Sequence, residues 1–130
     1  MCNNRGVSIS RVLIVDDQVR RRELLRILLE NEGCQVSEAG DAAEAVSVAR
    51  ATRPDLVLVD VELPPLDGYA AVRQLNADDQ SPHPPIIALA EGSEDMRQLR
   101  DAGFSGLLAK PVICRSLRGR LEQLVQVSSS

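Results

Sequence analysis

Short runs of consecutive apolar residues recur along the chain, and each is followed by a longer stretch in which apolar residues return at helical spacing. The three strongest runs, at residues 12–15, 56–59 and 86–89, are bounded by charged or proline-containing segments. Continuous apolar runs of this length are typical of strands that are buried on both faces of a sheet. Two weaker runs follow glycines, at Gln35–Ala39 and Gly106–Ala109, so the pattern predicts five strands.

Five helices are predicted from apolar residues that recur every three or four positions, a spacing that places them on one face of a helix. Asp41 and Glu44 resemble a capping box at the start of the second helix. The apolar residues expected to face the core are Leu24, Leu25 and Leu28 in the first helix, Ala42, Val46 and Ala49 in the second, Tyr69, Val72 and Leu75 in the third, Met96 and Leu99 in the fourth, and Leu117, Leu121, Leu124 and Val125 in the fifth.

The strict alternation of strands and helices predicts an α/β fold with a five-stranded parallel sheet and helices on both of its faces. The longest connection, residues 78–85, contains a Ser-Pro-His-Pro-Pro segment that cannot continue a helix, because proline lacks the amide donor and restricts the residue before it. A chain of 130 residues, 44% of them hydrophobic, is long enough for one core and too short for a second domain of ordinary size. We therefore predict a single domain.

The chain carries a net charge of -4, from 19 acidic and 15 basic residues, which argues against a nucleic-acid-binding protein and favours protein partners. Its three cysteines, Cys2, Cys34 and Cys114, are widely separated and odd in number, so neither a disulfide framework nor a metal-ligand spacing is indicated. Residues 1–10 contain no apolar run, and no later run is long enough to cross a membrane. These features predict a soluble, cytoplasmic protein that does not bind membranes.

Charged residues directly follow three of the predicted strands: Asp16 and Asp17 follow the first, Asp60 the third, and Lys110 the fifth. The carboxyl ends of parallel strands meet at one edge of the sheet, and neighbouring strands lie about 5 Å apart, so we expect these side chains to crowd together. Three carboxylates in one place need a cation, and Mg²⁺ prefers oxygen ligands and often binds beside phosphate. Each residue alone is explained by a turn or a helix cap, but their coincidence favours a magnesium and phosphate site.

Five segments, in the correct order, resemble the response-regulator receiver domain, and the resemblance extends from Arg11 to about Val127. They are VLIVDD at 12–17, PDLVLVD at 54–60, LP at 63–64 with LDG at 66–68, PIIAL at 85–89, and KP at 110–111. The resemblance implies a doubly wound, flavodoxin-like (βα)5 fold with strand order 2-1-3-4-5. It also implies that residues 11–127 form the receiver domain, between an N-terminal extension at 1–10 and a tail at 128–130.

The resemblance further implies a role for each residue of the site. Asp60 would be the phosphoacceptor, and Asp17 and Asp60 would bind Mg²⁺ directly. Asp16 would orient a bound water, and the backbone carbonyl of Glu62 would complete the protein ligands of the metal. Lys110 would pair with the phosphoryl group. The donor would be a phosphohistidine on a histidine kinase or a phosphotransfer protein, and the output would be a downstream protein target.

Three other features complete the interpretation of the polar residues. By the same resemblance, Pro111 would follow a cis bond. His83, the only histidine, lies in the proline-rich connection and is interpreted as a surface residue. Arg20, Arg21 and Arg22 open the first helix and are interpreted as a solvent-exposed face, although that end of the helix is where receiver domains usually meet their kinase.

The chain departs from the family pattern at the residues that usually respond to phosphorylation. Ala90 stands at the end of the fourth strand, where the family usually has Thr or Ser, and Glu91 follows where a small residue is common. Leu107 replaces the usual aromatic residue, three positions before Lys110. A lost hydrogen bond to a charged group is worth about 1.5–3 kcal/mol, so we expect the usual switch to be weakened while the metal site persists.

The leading hypothesis is a receiver domain that accepts phosphate and signals to a protein partner, catalysing only its own phosphorylation and dephosphorylation. The alternative is a phosphorylation-independent interaction module with the receiver fold. A magnesium-dependent phosphatase would want an aspartate where this chain has Glu62, and no glycine-rich loop supports nucleotide binding. The sequence leaves open the cognate kinase, the target, the oligomeric state and whether the chain stands alone or comes from a longer protein.

Overall fold

The structure of the protein, a computed structural model, describes residues 8–61, 68–79, 83–91, 95–110, 112 and 115–129, with the helical backbone alone for 126–129. These residues form five strands and five helices in strict alternation, as predicted. In chain order they are β1 (Arg11–Val15), α1 (Val19–Asn31), β2 (Gln35–Ala39), α2 (Ala42–Thr52), β3 (Leu56–Asp60), α3 (Gly68–Ala77), β4 (Ile86–Ala90), α4 (Met96–Ala102), β5 (Gly106–Ala109) and α5 (Leu117–Ser129).

The strands form one parallel sheet in the order β2-β1-β3-β4-β5, which confirms the predicted topology. β2 lies on one side of β1, and the strands that follow it are added on the other side, so β1 and β3 are neighbours. Their register pairs Val15 with Val59, and the next pairing along the sheet sets Asp60 beside Leu89. This register brings the carboxyl ends of the central strands to one edge, where parallel sheets of this kind bind ligands.

Alternate residues of the central strands pack against different helices. Leu13, Val15, Val57 and Val59 belong to a core cluster that includes residues of α2, α3 and α4. The intervening strand residues pack in a second cluster with α1 and α5; its buried members are Ile9, Val12, Ile14, Leu25, Leu29, Cys34, Leu56, Leu58, Ile87, Leu89, Leu108, Leu117, Leu121 and Val125. Burial on both faces explains why the strands are continuously apolar rather than alternating.

The predicted apolar stripe of α1 is only partly correct. Leu25 and Leu29 are buried against the sheet, whereas Leu24 is 58% exposed and Leu28 is 37% exposed. Successive residues of a helix are separated by about 100° around its axis, so Leu24 and Leu25 cannot both face the core fully. The helix therefore contacts the sheet through residues four positions apart and leaves Leu24, Ile27 and Leu28 as an exposed apolar face.

Acidic side chains cap the N-terminal ends of α2 and α5. Asp41 accepts a hydrogen bond from the Glu44 amide at 2.8 Å, and the Glu44 carboxylate accepts one from the Gly40 amide at 2.7 Å, which confirms the predicted capping box. Glu32, at the C-terminal end of α1, accepts hydrogen bonds from the Ser116 hydroxyl and from the Leu117 amide, the latter at 3.0 Å. The residue that follows α1 thus caps the N-terminal end of α5 with its carboxylate.

The connection after α3 begins with an ion pair between a buried aspartate, Asp78, and an exposed arginine, Arg50. Both carboxylate oxygens of Asp78 accept hydrogen bonds from Arg50 of α2, with the shortest, from Nη2, at 2.6 Å. The hydrogen bond with Asp78 is the main reason that the pKa of Arg50 is raised. His83 is exposed as predicted, and its Nε2 lies 3.1 Å from the Asp78 carbonyl oxygen.

Of the three cysteines, Cys34 is free and buried, and burial raises the pKa of its thiol. Cys2 and Cys114 lie outside the described residues. None of the helices in the described part of the chain has the length and apolar character that a bilayer span requires. Helix α5 continues to Ser129, and the division of the chain at residues 10 and 127 stays a prediction.

Candidate functional site

The structure brings the charged residues predicted from the strand ends together at one edge of the sheet. Asp60 is the last residue of β3, and Asp16 directly follows the neighbouring β1. Backbone hydrogen bonds continue the strand pairing past the strand ends, from the Asp16 amide to the Ala39 carbonyl at 3.1 Å and from the Lys110 amide to the Ala90 carbonyl at 2.7 Å. The backbone positions of these residues are therefore fixed by the sheet rather than by a loop.

Asp60 lies at the bottom of the site, with only 1% of its surface exposed. Lys110 directly follows β5, two strands away from β3, and its Nζ lies 3.0 Å from Asp60 Oδ2. A buried carboxylate is strongly unfavourable without a compensating charge, so the ion pair with Lys110 offsets part of the cost of burying Asp60. The pair also places a cationic donor directly beside a carboxylate oxygen, which is the arrangement needed to neutralise an anionic group at this position.

Asp16 is fully buried, and each of its carboxylate oxygens accepts a hydrogen bond. Oδ1 accepts from the Gln18 amide at 2.9 Å, and Oδ2 accepts from Arg21 Nε at 2.7 Å. Burial raises the pKa of Asp16 above the ordinary value for an aspartate, and the hydrogen bonds from Gln18 and Arg21 act in the opposite direction without cancelling the effect of burial. The site thus contains two buried carboxylates, Asp16 and Asp60, on adjacent strands.

Asp17 directly follows Asp16 in the chain and is half-buried. Its Oδ1 is buried and has no hydrogen-bond partner within the part of the chain that the structure describes. A buried carboxylate oxygen without a donor is costly in a protein interior, and a cation is the partner that would satisfy it. Asp16, Asp17 and Asp60 all supply carboxylate oxygens, which are the donor type that Mg²⁺ prefers.

A magnesium ion does not require a complete cage of protein side chains. Among the described residues, no three His, Cys, Asp or Glu side chains are arranged as a ready metal-binding group. Mg²⁺ usually takes one or two carboxylates directly and keeps several waters, so two properly placed aspartates satisfy its requirements. Glu62, whose carbonyl was predicted as a further ligand, lies outside the described residues, as does Pro111.

The interpretation of the arginines at the start of α1 as a solvent-exposed face is correct for Arg20 and wrong for Arg21 and Arg22. Arg21 donates to Asp16, and its Nη2 approaches Asp60 Oδ2 to 3.5 Å. Arg22 Nη1 donates to the Asp16 carbonyl oxygen at 2.7 Å. Helical side chains lean toward the N-terminus of their helix, so residues of the first turn can cover the strand end that precedes it. This direction of helical side chains could have predicted from the sequence that Arg21 and Arg22 lie over the site.

Gly68, the first residue of α3, packs against the backbone that carries Asp60. A Cβ atom at this position would lie 2.7 Å from Val61 Cα and 2.9 Å from the Asp60 carbonyl oxygen. Both neighbours are backbone atoms and cannot rotate away. Only glycine allows this close approach, which explains the glycine of the LDG segment; its other residues, Leu66 and Asp67, lie outside the described residues.

The departures from the family pattern lie beside this cluster. Ala90 is fully buried at the end of β4 and carries no polar side-chain atom. Leu107 is half-buried and packs against the core cluster formed with α2, α3 and α4. Glu91 is exposed at the rim of a groove of about 460 Å³, whose other lining residues are Arg21, Leu24, Leu25, Leu28, Lys110 and Val112. The groove joins the exposed apolar face of α1 to the charged site.

Comparison with known protein families places the chain clearly. The family model of the response regulator receiver domain matches residues 12–122. The polar-differentiation response regulator DivK of Brucella anthropi is 33% identical over 105 residues, which are 78% of this chain and 84% of DivK. Other curated relatives are longer, and the chain spans 52% of one and 26% of another.

Solved structures agree with the sequence comparisons. The chemotaxis response regulator CheY4 of Vibrio cholerae superposes with a TM-score of 0.77 at 27% identity, covering 90% of this chain and 99% of CheY4. The receiver domain of the sensor histidine kinase PA1611 from Pseudomonas aeruginosa, solved with a magnesium ion in its active site cleft, superposes with a TM-score of 0.73 at 31% identity, covering 95% and 100% of the two chains. With the family model matching most of its length and its topology shared with these structures, the chain belongs to the response regulator receiver domain family, the signalling modules of two-component systems.

Proposed function

We propose that this domain accepts a phosphoryl group from a phosphohistidine onto Asp60. The observation that carries the proposal is the burial of Asp60 at a strand end, 3.0 Å from Lys110 Nζ. The buried Oδ1 of Asp17, which has no hydrogen-bond partner among the described residues, supports it. In this proposal Asp17 and Asp60 hold Mg²⁺ directly, with Asp16 orienting a bound water and the Glu62 carbonyl as a further ligand. The domain acts in the cytoplasm between a histidine kinase or phosphotransfer protein and a downstream protein target.

The chain's own residues account for the transfer. A carboxylate oxygen of Asp60 forms the new P–O bond while the P–N bond of the phosphohistidine breaks, and the imidazole nitrogen leaves with the electron pair and takes up a proton. Lys110 neutralises charge on the phosphoryl oxygens; a unit charge about 4 Å away contributes about 4 kcal/mol at an effective dielectric constant near 20. Bound Mg²⁺ supplies further neutralisation of those oxygens. Catalysis here is positioning and charge compensation, which the sheet edge supplies.

The direct test is to incubate the protein with a small-molecule phosphodonor, with and without Mg²⁺, and to measure its intact mass. We expect one phosphoryl group to be added only when Mg²⁺ is present. The adduct should be lost in hydroxylamine, since an aspartyl phosphate is an acyl phosphate. No mass increase with any donor would instead favour the second candidate function, an interaction module that works without phosphorylation.

The exposed apolar face of α1 supports a protein donor. Leu24 and Leu28 line the groove that ends at Lys110, so a protein seated on them would present its phosphohistidine toward Asp60. Exposed leucines on a surface helix are unfavourable in water and are typical of interaction surfaces when they form a contiguous patch. We therefore assign this face to the phosphohistidine-bearing protein.

The double variant Leu24→Gln with Leu28→Gln tests this assignment. We expect transfer from a panel of purified phosphohistidine phosphotransfer domains to slow about tenfold or more, because interface leucines contribute about 1–2 kcal/mol each when buried. Phosphorylation by the small molecule phosphoramidate should be unchanged, since it needs no docking surface. Equal slowing with both donors would place the effect in the chemistry of the site and would reject the docking role.

The residues at Ala90 and Leu107 support an atypical response to phosphorylation. Ala90 has no hydroxyl to donate to a phosphoryl group, and Leu107 has no polar tip to reorient. A ligand shifts a conformational equilibrium only through contacts that differ between the two states. The same two residues are the observation that favours the second candidate function, the phosphorylation-independent interaction module.

We predict that wild-type protein changes little around β4, β5 and α5 when a phosphoryl mimic is bound, and that Ala90→Thr with Leu107→Tyr enlarges the change. The threonine gains a charge-assisted hydrogen bond that exists only in the phosphorylated state, worth about 1.5–3 kcal/mol. Backbone amide chemical shifts with and without the mimic measure the response, and each single substitution serves as a control with a smaller effect. Wild-type shifts as extensive as those of the double variant would contradict the prediction.

A further inference from the structure

Arg21 occupies a position that the proposed function leaves without a role. Its guanidinium lies between the two buried carboxylates of the site, with Nε 2.7 Å from Asp16 Oδ2 and Nη2 3.5 Å from Asp60 Oδ2. The side chain is 23% exposed, so most of it is withdrawn from solvent. Within the described residues, Nη2 is buried and makes no hydrogen bond, which shows that the contact with Asp60 is an ion pair without good donor geometry.

The charges of the site explain why an arginine is stable here. Asp16, Asp17 and Asp60 contribute three negative charges, and Lys110 alone would leave the cluster with a large excess of negative charge. Arg21 brings a second positive charge to the same edge of the sheet. Like charges that are close together in a partly buried site are strongly unfavourable, and a guanidinium that bridges two of them relieves that repulsion.

A divalent cation in this cluster needs the same oxygen atoms. Asp16 Oδ2 already accepts the hydrogen bond from Arg21 Nε, so a metal-bound water oriented by this oxygen would compete with the guanidinium for it. A guanidinium beside Asp60 also repels a cation bound to the same carboxylate. The exposed part of Arg21 lines the groove beside Leu24 and Leu28, so the side chain has an open volume into which it can withdraw.

We propose that Arg21 is an internal counter-cation of the metal site, which holds Asp16 and Asp60 in the metal-free domain and must be displaced when Mg²⁺ binds. The inference rests on the proposed function, because it concerns the same metal site. Arg21 acts by competition and not by ligation, so it sets the Mg²⁺ concentration at which the site fills. Its role is to set the affinity of the site for Mg²⁺, and it is not itself a catalytic residue.

The test compares Arg21→Gln with Arg20→Gln in the full chain. Arg20 precedes Arg21 in α1, carries the same charge and is exposed, so its substitution changes the net charge equally without touching the site. We expect Arg21→Gln to bind Mg²⁺ about tenfold more tightly than the wild type, and Arg20→Gln to differ from it by less than about twofold, as measured by calorimetric titration with MgCl₂. The gain should be larger at low ionic strength.

A second measurement uses the unmodified protein and does not depend on how the variants fold. The side-chain Nε–H resonance of Arg21 should move on saturation with Mg²⁺, because its hydrogen bond to Asp16 is broken. An unmoved resonance at saturation would overturn the inference. Equal Mg²⁺ affinity in wild type and Arg21→Gln, or an equal gain in Arg20→Gln, would also overturn it while leaving the proposed function intact.

Two further outcomes separate the inference from the proposed function. Binding of Mg²⁺ by Arg21→Gln but not by the wild type would support the inference in its strongest form, with Arg21 excluding the metal at ordinary concentrations. Binding by neither protein, with both folded, would reject the metal site of the proposed function and the inference with it.

Discussion

Asp60→Asn is expected to abolish phosphorylation of the domain. An asparagine amide is not a nucleophile toward phosphorus under these conditions, and Asp60 is the carboxylate that Lys110 holds at 3.0 Å. The intact mass of the variant should stay unchanged under donor and Mg²⁺ conditions that modify the wild type. The loss should be complete rather than partial, because the substitution removes the reacting atom and not a supporting interaction.

The matched control for this experiment is Asp79→Asn. Asp79 is an exposed aspartate just after α3, so its substitution makes the same chemical change away from the site. The control should be phosphorylated as the wild type is, and circular dichroism should show that both variants keep the fold. A phosphoryl group retained on Asp60→Asn would place the acceptor elsewhere and would reject the assignment of Asp60.

Asp17→Asn is expected to weaken Mg²⁺ binding at least roughly tenfold, which corresponds to about 1.4 kcal/mol. Asp17 Oδ1 is buried and has no partner among the described residues, so its charge is available to a cation. Removing a unit charge about 4 Å from a cation costs about 4 kcal/mol per unit of cation charge at an effective dielectric constant near 20, and screening lowers this figure. Calorimetric or NMR titration with MgCl₂ gives the affinity.

Asp79→Asn again provides the control, and its Mg²⁺ affinity should match that of the wild type. The variant Asp17→Asn should also fold at least as stably as the wild type without metal, because it removes a buried charge that lacks a partner. Identical affinities in wild type and Asp17→Asn would show that the metal does not bind at Asp17.

The sheet, and the position of Asp16, Asp60 and Lys110 at one of its edges, were predictable because they depend on local sequence and on general rules of parallel sheets. Strands buried on both faces are visible as continuous apolar runs, and right-handed crossovers restrict how such strands are ordered. Once the strands are placed, the positions of Asp16, Asp60 and Lys110 follow from the residues at their carboxyl ends. No side-chain conformation has to be known for this step.

The side chains that the sequence did not predict are those whose direction depends on tertiary packing. Arg21 and Arg22 have the composition of a solvated helix face, and only the strand end beneath them turns them inward. Leu24 and Leu28 have the spacing of a buried stripe, but the sheet accepts only one side of α1. In each case helical periodicity alone allows the side chain to face either the solvent or the sheet, and the neighbouring elements decide which.

Glu32, the residue that follows α1, connects this helix directly to the N-terminal end of α5. Separating them would leave the Leu117 amide and the Ser116 hydroxyl without their acceptor, and it would also break the 3.0 Å hydrogen bond from Arg118 Nη1 to the Glu32 carbonyl oxygen. We therefore expect a displacement of α1 to move the start of α5 with it, through contacts that do not involve β4 or β5. In a receiver that has Ala90 and Leu107 where the family usually has a hydroxyl and an aromatic side chain, this link gives α1 and α5 a direct connection that does not depend on those two positions.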